Sequence, residues 1–174
     1  ATVRINIAAV NDAPEVSGNL FSAVFVTETE DTSDLVKTRE LKITDVDLSD
    51  THVVTIDFNG VSGGPAPGLT DQEFIDLIEV GSATQNDADR SVPVTFKASS
   101  TAFDYLAAGE KVTFSYKLTA DDQNGGVAER NFNVVVTGTN DAPEVSGNLF
   151  SAVFVTETED TSDLVKTREL KITD

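Results

Sequence analysis

Cysteine is absent from the 174 residues, tryptophan is absent too, histidine occurs once and tyrosine twice. Without cysteine the chain has no disulfide staples and no thiolate metal site. Zinc would have to rest on His52 and carboxylates, a poor donor set for that ion. His52 has no evident nucleophile partner, so the only catalytic class left open is a carboxylate-pair hydrolase. The acids fall in loops with an ion-binding pattern instead, and we read the chain as non-enzymatic. The scarcity of aromatic platforms weakens a sugar-binding reading. No apolar run approaches the length of a membrane-spanning helix. Basic residues are few, 12 Lys and Arg against 30 Asp and Glu, for a formal net charge of −18. That excess argues against nucleic acid, whose phosphates call for basic patches, and against anionic membrane surfaces. It suits a chain that holds cations or one that repels itself into an extended rod. An ordinary solvated acidic surface is the plainer reading of charge alone.

What the sequence does contain is a repeat. Asn11-Asp12-Ala13-Pro14-Glu15-Val16-Ser17-Gly18 returns as Asn140-Asp141-Ala142-Pro143-Glu144-Val145-Ser146-Gly147, and residues 11–45 and 140–174 are identical at all 35 positions. The period is 129 residues, enough for one domain with its own core. Such copies are beads on a string, unlike short solenoid repeats that need neighbours to fold. We read residues 11–139 as a complete repeat, 140–174 as the first two strands of the next identical repeat, and 1–10 as the last strand of a preceding, diverged one. On this reading the chain is part of a larger protein. Residues 11–139 hold 22 acidic and 8 basic residues, a net charge of about −14 per period.

Within the period, two-residue alternation marks strands. Residues 2–9 alternate through Val3, Ile5 and Ile7. Strands are expected over Ser22–Thr27, Lys37–Thr44 with Leu41 and Ile43 inward, and His52–Phe58 with Val54, Ile56 and Phe58 inward. His52 is expected to be an exposed strand residue. Residues 59–69, rich in Gly and Pro, read as a loop, and no Lys-Ser/Thr follows to make it a phosphate cradle. Thr70-Asp71-Gln72-Glu73 has the form of a capping box, which predicts a short helix over 71–79. Gly81–Arg90 reads as polar loop, Val92, Val94 and Phe96 as a strand, and Ala102–Ala108 as a helical turn anchored by Phe103 and Leu106. The clearest strand carries Val112, Phe114, Tyr116 and Leu118 inward. Asp121-Asp122-Gln123-Asn124-Gly125-Gly126 has hairpin-turn chemistry, and the last strand covers about 127–137. About seven short strands with one or two helical turns predict an all-β Greek-key sandwich, cadherin- or immunoglobulin-like.

Strands of a sandwich end at two poles, and the acids of this chain concentrate in the loops there. Ca²⁺ takes six to eight oxygens and favours such clusters. Asp45-x-Asp47-x-x-Asp50 is not an EF-hand, because glycine is missing at the sixth position and Ile56 stands at the twelfth. Gly-Gly-x-Gly-x-Asp nonapeptides are absent as well, which excludes a calcium β-roll.

Thr137-Gly138-Thr139-Asn140-Asp141-Ala142-Pro143, preceded by Tyr105-Leu106-Ala107-Ala108-Gly109-Glu110 and Asp122-x-x-Gly125-Gly126, resembles the VCBS repeat, as does Asp45-Val46-Asp47 followed by Asp50-Thr51-His52. The resemblance covers nearly the whole period. It implies a spacer repeat of a large secreted bacterial surface adhesin of the RTX type, serving cell adhesion or biofilm formation outside the cell. A more distant likeness is to cadherin domains, which implies Ca²⁺ at the junctions between repeats. By that likeness Glu28 or Glu30, Asp104, Asn140, Asp141 and Asp174 would surround ions at the downstream junction, and Asn11, Asp12, Asp45, Asp47 and Asp122 would serve the upstream one. Phe103-Asp104-Tyr105 stands where cadherins carry Asp-Arg-Glu, a departure that bears on the ligand identities. The implied partners are neighbouring repeats in the same chain, with strand exchange between copies a second possibility. The alternative function is a carbohydrate- or self-binding adhesive module.

Overall fold

A computed structural model describes residues 2–6, 8, 10–29, 33–82, 84, 85, 89–147 and 166–173. The chain divides into two compact units, Ala1–Thr139 and Asn140–Asp174. The first contains β1 (Glu15–Ser17), β2 (Val24–Thr27), β3 (Leu35–Thr44), β4 (Val53–Gly63), α1 (Asp71–Asp76), β5 (Ile78–Val80), β6 (Thr84–Gln85), β7 (Asp89–Ala98), β8 (Lys111–Asp121) and β9 (Val127–Thr137). One sheet has the order β1-β3-β7-β5, with β6 also on β7, and the other has the order β2-β9-β8-β4. All pairs are antiparallel except β2 with β9. The fold is an all-β sandwich, as the alternation predicted.

Side chains from both sheets share one core. Leu41, Ile43, Val94 and Phe96 come from the first sheet, and Phe114, Tyr116, Leu118 and Val134 from the second. β8 shows why alternation was legible. Its Val112, Phe114, Tyr116, Leu118 and Ala120 have no exposed surface, while Lys111, Thr113, Ser115 and Lys117 point the other way. The turn Ser100–Phe103 carries the sequence over the core, with Phe103 and Leu106 buried beneath it. Gly138 lets that cover close down, because a Cβ there would stand 2.5 Å from Leu106.

The structure corrects four sequence expectations. Residues 2–6, 8 and 10 carry no regular structure, although their alternation fits a strand; an isolated alternating segment has no ladder to join. The loop expected at 59–69 begins later, because β4 continues to Gly63 through a register shift between Phe58 and Gly60. Gly60, at φ 135°, stands at that irregularity. The capping box at Thr70 and Glu73 is formed, but α1 ends at Asp76. Ile78 then enters β5 opposite Phe96, so pairing with β7 overrides helical spacing. Within the segment expected to be a polar loop, β6 pairs with β7 at Thr84↔Ser91 and Gln85↔Arg90.

In the second unit, β10 (Glu144–Ser146) pairs with β11 (Lys171–Thr173). Glu144 faces Thr173 and Val145 faces Ile172, the same register as Glu15 with Thr44 and Val16 with Ile43. The two identical stretches therefore form the same strand pair.

Candidate metal centre

One pole of the sandwich brings together four parts of the chain, three of which supply acids, and strand register explains why. β3 ends at Thr44, opposite both Glu15 of β1 and Asp89 of β7. In the other sheet β4 starts at Val53 opposite Asp121, the last residue of β8. The segment before β1, the β3–β4 turn, the β8–β9 turn and the start of β7 all meet at this end.

The β3–β4 turn is built on its own carboxylates. Asp45 accepts from the Asp47 amide at 2.9 Å, and the Asp50 amide donates to the Asp47 carbonyl at 3.0 Å. Asp47 in turn accepts from the Asp12 amide at 2.8 Å, which ties the pre-β1 segment to the turn. The β8–β9 turn folds around Asp122, whose side chain is fully buried. One oxygen of Asp122 accepts from the amides of Asn124 at 2.7 Å and Gly126 at 2.9 Å, and the other from the Asn11 amide nitrogen at 2.8 Å. Burial alone would raise the Asp122 pKa. The hydrogen bonds from Asn11, Asn124, Gly126 and Gly125 together outweigh burial and hold the carboxyl below the ordinary range. Asp122 is thus a preformed anion. Only glycine fits at 126, where a Cβ would lie 2.1 Å from an Asp122 oxygen and 2.7 Å from Ala13.

Asp45, Asp50 and Asp122 each bring a carboxylate oxygen within 4.8 Å of the others. Asp50 is 7% exposed, and its Oδ2 has no hydrogen-bond partner. A buried carboxylate oxygen without a donor, facing two more carboxylates, is unfavourable in the absence of positive charge. A metal ion supplies that charge, and the three carboxylates form a donor set able to hold one.

His52 is not the exposed strand residue the sequence suggested. Its side chain is 3% exposed, and its Nε2 lies 2.8 Å from Asp45 Oδ2. Arg90, from β7, reaches His52 Nδ1 and the Asp50 carbonyl. A guanidinium only donates, so Nδ1 accepts and the Nε2–H donates to Asp45. The imidazole orients Asp45, as an outer partner orients a ligating carboxylate.

Five residues expected to serve the upstream junction, Asn11, Asp12, Asp45, Asp47 and Asp122, are brought together in this network. Asp50 belongs to it as well, although the cadherin likeness left it out. Its DxDxxD spacing was visible in the sequence. Its burial was not, because that depends on the distant β8–β9 turn.

The residues expected around the downstream junction are more dispersed. Glu28 follows β2 at the opposite pole and is fully buried. Its Oε2 accepts from the Thr139 amide at 2.9 Å and the Thr139 hydroxyl at 2.7 Å, while Oε1 is buried without a partner. Asp104 is exposed and ends the Ser100–Phe103 turn. Within the second unit, the Asn140 side-chain amide donates to the Asp141 carbonyl at 3.0 Å. Glu30 and Asp174 lie outside the described residues. No described helix is long and apolar enough to cross a membrane. No protein-family model matches the chain and no curated protein matches it, so the likeness to VCBS repeats rests on the motifs quoted above.

Proposed function

We propose that residues 11–139 are a calcium-binding spacer repeat of an extracellular bacterial surface adhesin, with no catalytic role. The observation that carries this reading is Asp50. Its buried, unpartnered carboxylate oxygen sits with Asp45 and Asp122 in a pole already braced by Asn11, Asp12 and Asp47. An all-oxygen donor set without cysteine, and with its one histidine turned to a carboxylate, suits a hard cation better than zinc or copper. Asp45, Asp50 and Asp122 would hold Ca²⁺ directly. Asn11 and Asp12 would join the pre-β1 segment to the same ion-braced pole, so binding there would stiffen the entry to the repeat. Glu28, with a second orphaned oxygen beside Thr139, is the corresponding anchor at the exit. The exact 35-residue duplication supports a tandem arrangement in which the same pole recurs along the string.

Millimolar calcium outside a cell would fold and stiffen such a chain, whereas scarcity inside would leave it easier to unfold for export. Calorimetric titration of the intact chain with Ca²⁺ and with Mg²⁺ tests the reading. Saturable Ca²⁺ binding, at least tenfold tighter than Mg²⁺, is expected. Binding of neither ion, or equal weak binding of both, would reduce the pole to a solvated acidic surface.

A further inference from the structure

We propose that Asn124-Gly125, in the β8–β9 turn, is a site of self-modification: the Gly125 amide nitrogen attacks the Asn124 side chain, and the resulting isoaspartate dismantles the cradle around Asp122. The step needs only water. As the bond from Gly125 N to Asn124 Cγ forms, the bond from Cγ to Nδ2 breaks, and the side-chain nitrogen leaves as ammonia with the Gly125 amide proton. Water then opens the five-membered imide. Opening at Cγ leaves an ordinary aspartate. Opening at the backbone carbonyl carbon leaves isoaspartate, with the main chain routed through the former side chain. One water is consumed and one ammonia released, with no oxidant or cofactor.

Two Asn-Gly pairs occur in the sequence, and the fold treats them differently. Asn59-Gly60 lies inside β4, where Phe58 pairs with Tyr116 and Gly60 with Ser115. The Asn59 side-chain amide donates to Asn131 Oδ1 at 3.4 Å. Ring closure there has to break into a strand ladder. Asn124-Gly125 lies between β8 and β9, outside their ladder, and both residues are exposed to water. Gly125 stands at φ 108°, a conformation that glycine adopts at least cost. Nothing lies within 4 Å of where its Cβ would be, so the turn has open space around the attacking residue. The Asn124 side chain makes a long contact, 3.5 Å to the Asp122 carbonyl.

The modification would act on Asp122 through the backbone. The amides of Asn124 and Gly126 converge on one Asp122 oxygen, Gly125 also donates to this carboxylate, and the Gly126 carbonyl accepts from the Asp122 amide at 3.1 Å. Isoaspartate at 124 inserts one more main-chain carbon between the Asn124 and Gly126 donors. Gly126 cannot take up the slack, because even a Cβ there would lie 2.1 Å from Asp122 and 2.7 Å from Ala13. A new carboxylate also arises beside that of Asp122. Modification therefore withdraws donors from Asp122 and loosens its tie to Asn11. The consequence for ion binding rests on the calcium reading above, whereas the modification and the loss of the cradle do not.

Ageing the intact chain in chelator at mildly alkaline pH, followed by peptide mapping, tests the proposal. The peptide holding residue 124 is expected to gain one mass unit and to split into aspartate and isoaspartate forms. Its conversion is expected to run roughly tenfold or more faster than that of the peptide holding residue 59. Amide hydrogen exchange is expected to show Asn124 and Gly126 losing protection in the isoaspartate form. Calcium affinity is expected to fall in step with isoaspartate content, by roughly tenfold or more at full conversion. Asn124→Gln would have to close a less favourable six-membered ring, and ageing is expected to leave its ion affinity where it started. The proposal is overturned if residue 124 stays intact, if the two peptides convert at equal rates, or if the isoaspartate form keeps the Gly126 protection or the calcium affinity of the fresh chain. A fresh chain that binds no calcium, yet converts at 124 and loses Gly126 protection, would sustain this site and remove the calcium reading alone.

Discussion

Asp50 and Tyr116 illustrate two ways in which burial acts on an ionisable side chain. Asp50 is buried as part of an acidic group, where a bound cation would offset the repulsion among the carboxylates. Asp50→Asn keeps the shape and removes the charge. The account predicts a crossing: with calcium the variant melts below the parent and binds the ion at least tenfold more weakly, while in chelator it melts at or above the parent. Thermal melts of both proteins in both conditions check this, and a variant less stable in both would show that Asp50 is held by protein donors alone. Tyr116 is buried as a neutral group, with its hydroxyl donating to the Phe74 carbonyl at 3.0 Å. Burial pushes its pKa far above the ordinary value of 10. The sign follows directly, because the unfolded chain ionises near pH 10 while the folded one does not. The Tyr116 contribution is full below about pH 10 and is lost as pH rises from there, at about 1.4 kcal/mol per pH unit. Tyr116→Phe should remove this part of the alkaline limb and lower stability at neutral pH by about 1 kcal/mol for the lost hydrogen bond. Tyr105 is shifted the same way, by burial and then by Glu110, so part of the limb remains. Denaturant melts of the parent and Tyr116→Phe from pH 7 to 11 check both effects.

Among the elements, those with strict alternation were legible in the sequence and those shaped by partners were not. β8 alternates cleanly between a core face and an outer face, β9 does so from Phe132 onward, and the turn between them carries Asp-Asp-Gln-Asn-Gly-Gly, so their hairpin followed from pattern alone. β4 was truncated because Gly60 and Gly63 resemble loop residues, although here Gly60 stands at a register shift within the strand and Gly63 ends it. Helical spacing at Phe74, Leu77 and Ile78 extended α1 too far, since nothing local reveals that Ile78 faces Phe96. β1 was missed because three residues are too few to show a period. The metal pole was legible to the same degree. Acids in turns pointed to Asp45, Asp47 and Asp122, whereas the roles of Asp50 and His52 come from β7 and from the β8–β9 turn, both distant in sequence. The duplicated strand pair gives an internal comparison at this scale. Leu41→Ala removes a fully buried side chain and should cost about 2–5 kcal/mol. Leu170→Ala changes the same residue in the same sequence where it is half exposed, and should alter stability by no more than about 0.5 kcal/mol. Equal losses in chemical denaturation of the two variants would mean that both copies are seated on a core.

At the scale of the whole molecule, the fold and the charge answer different questions. Strand alternation and a shared core account for a sandwich without any ion. The net charge of −18 is unnecessary for that core and opposes compaction. It makes sense if cations are part of the working state and if repeats must stay extended and apart from one another. Screening by simple salt would relieve some of the same repulsion, so a calcium effect counts only at constant ionic strength. The most direct measurement is thermal unfolding of the intact chain in millimolar Ca²⁺, in equimolar Mg²⁺, and in chelator. At a hundredfold excess over the dissociation constant one bound ion contributes about 2.7 kcal/mol, which for a body of this size raises Tm by about 10 °C. The account predicts a rise of that order with Ca²⁺ alone. An unchanged midpoint, or an equal rise with Mg²⁺, would contradict a selective calcium site at Asp45, Asp50 and Asp122.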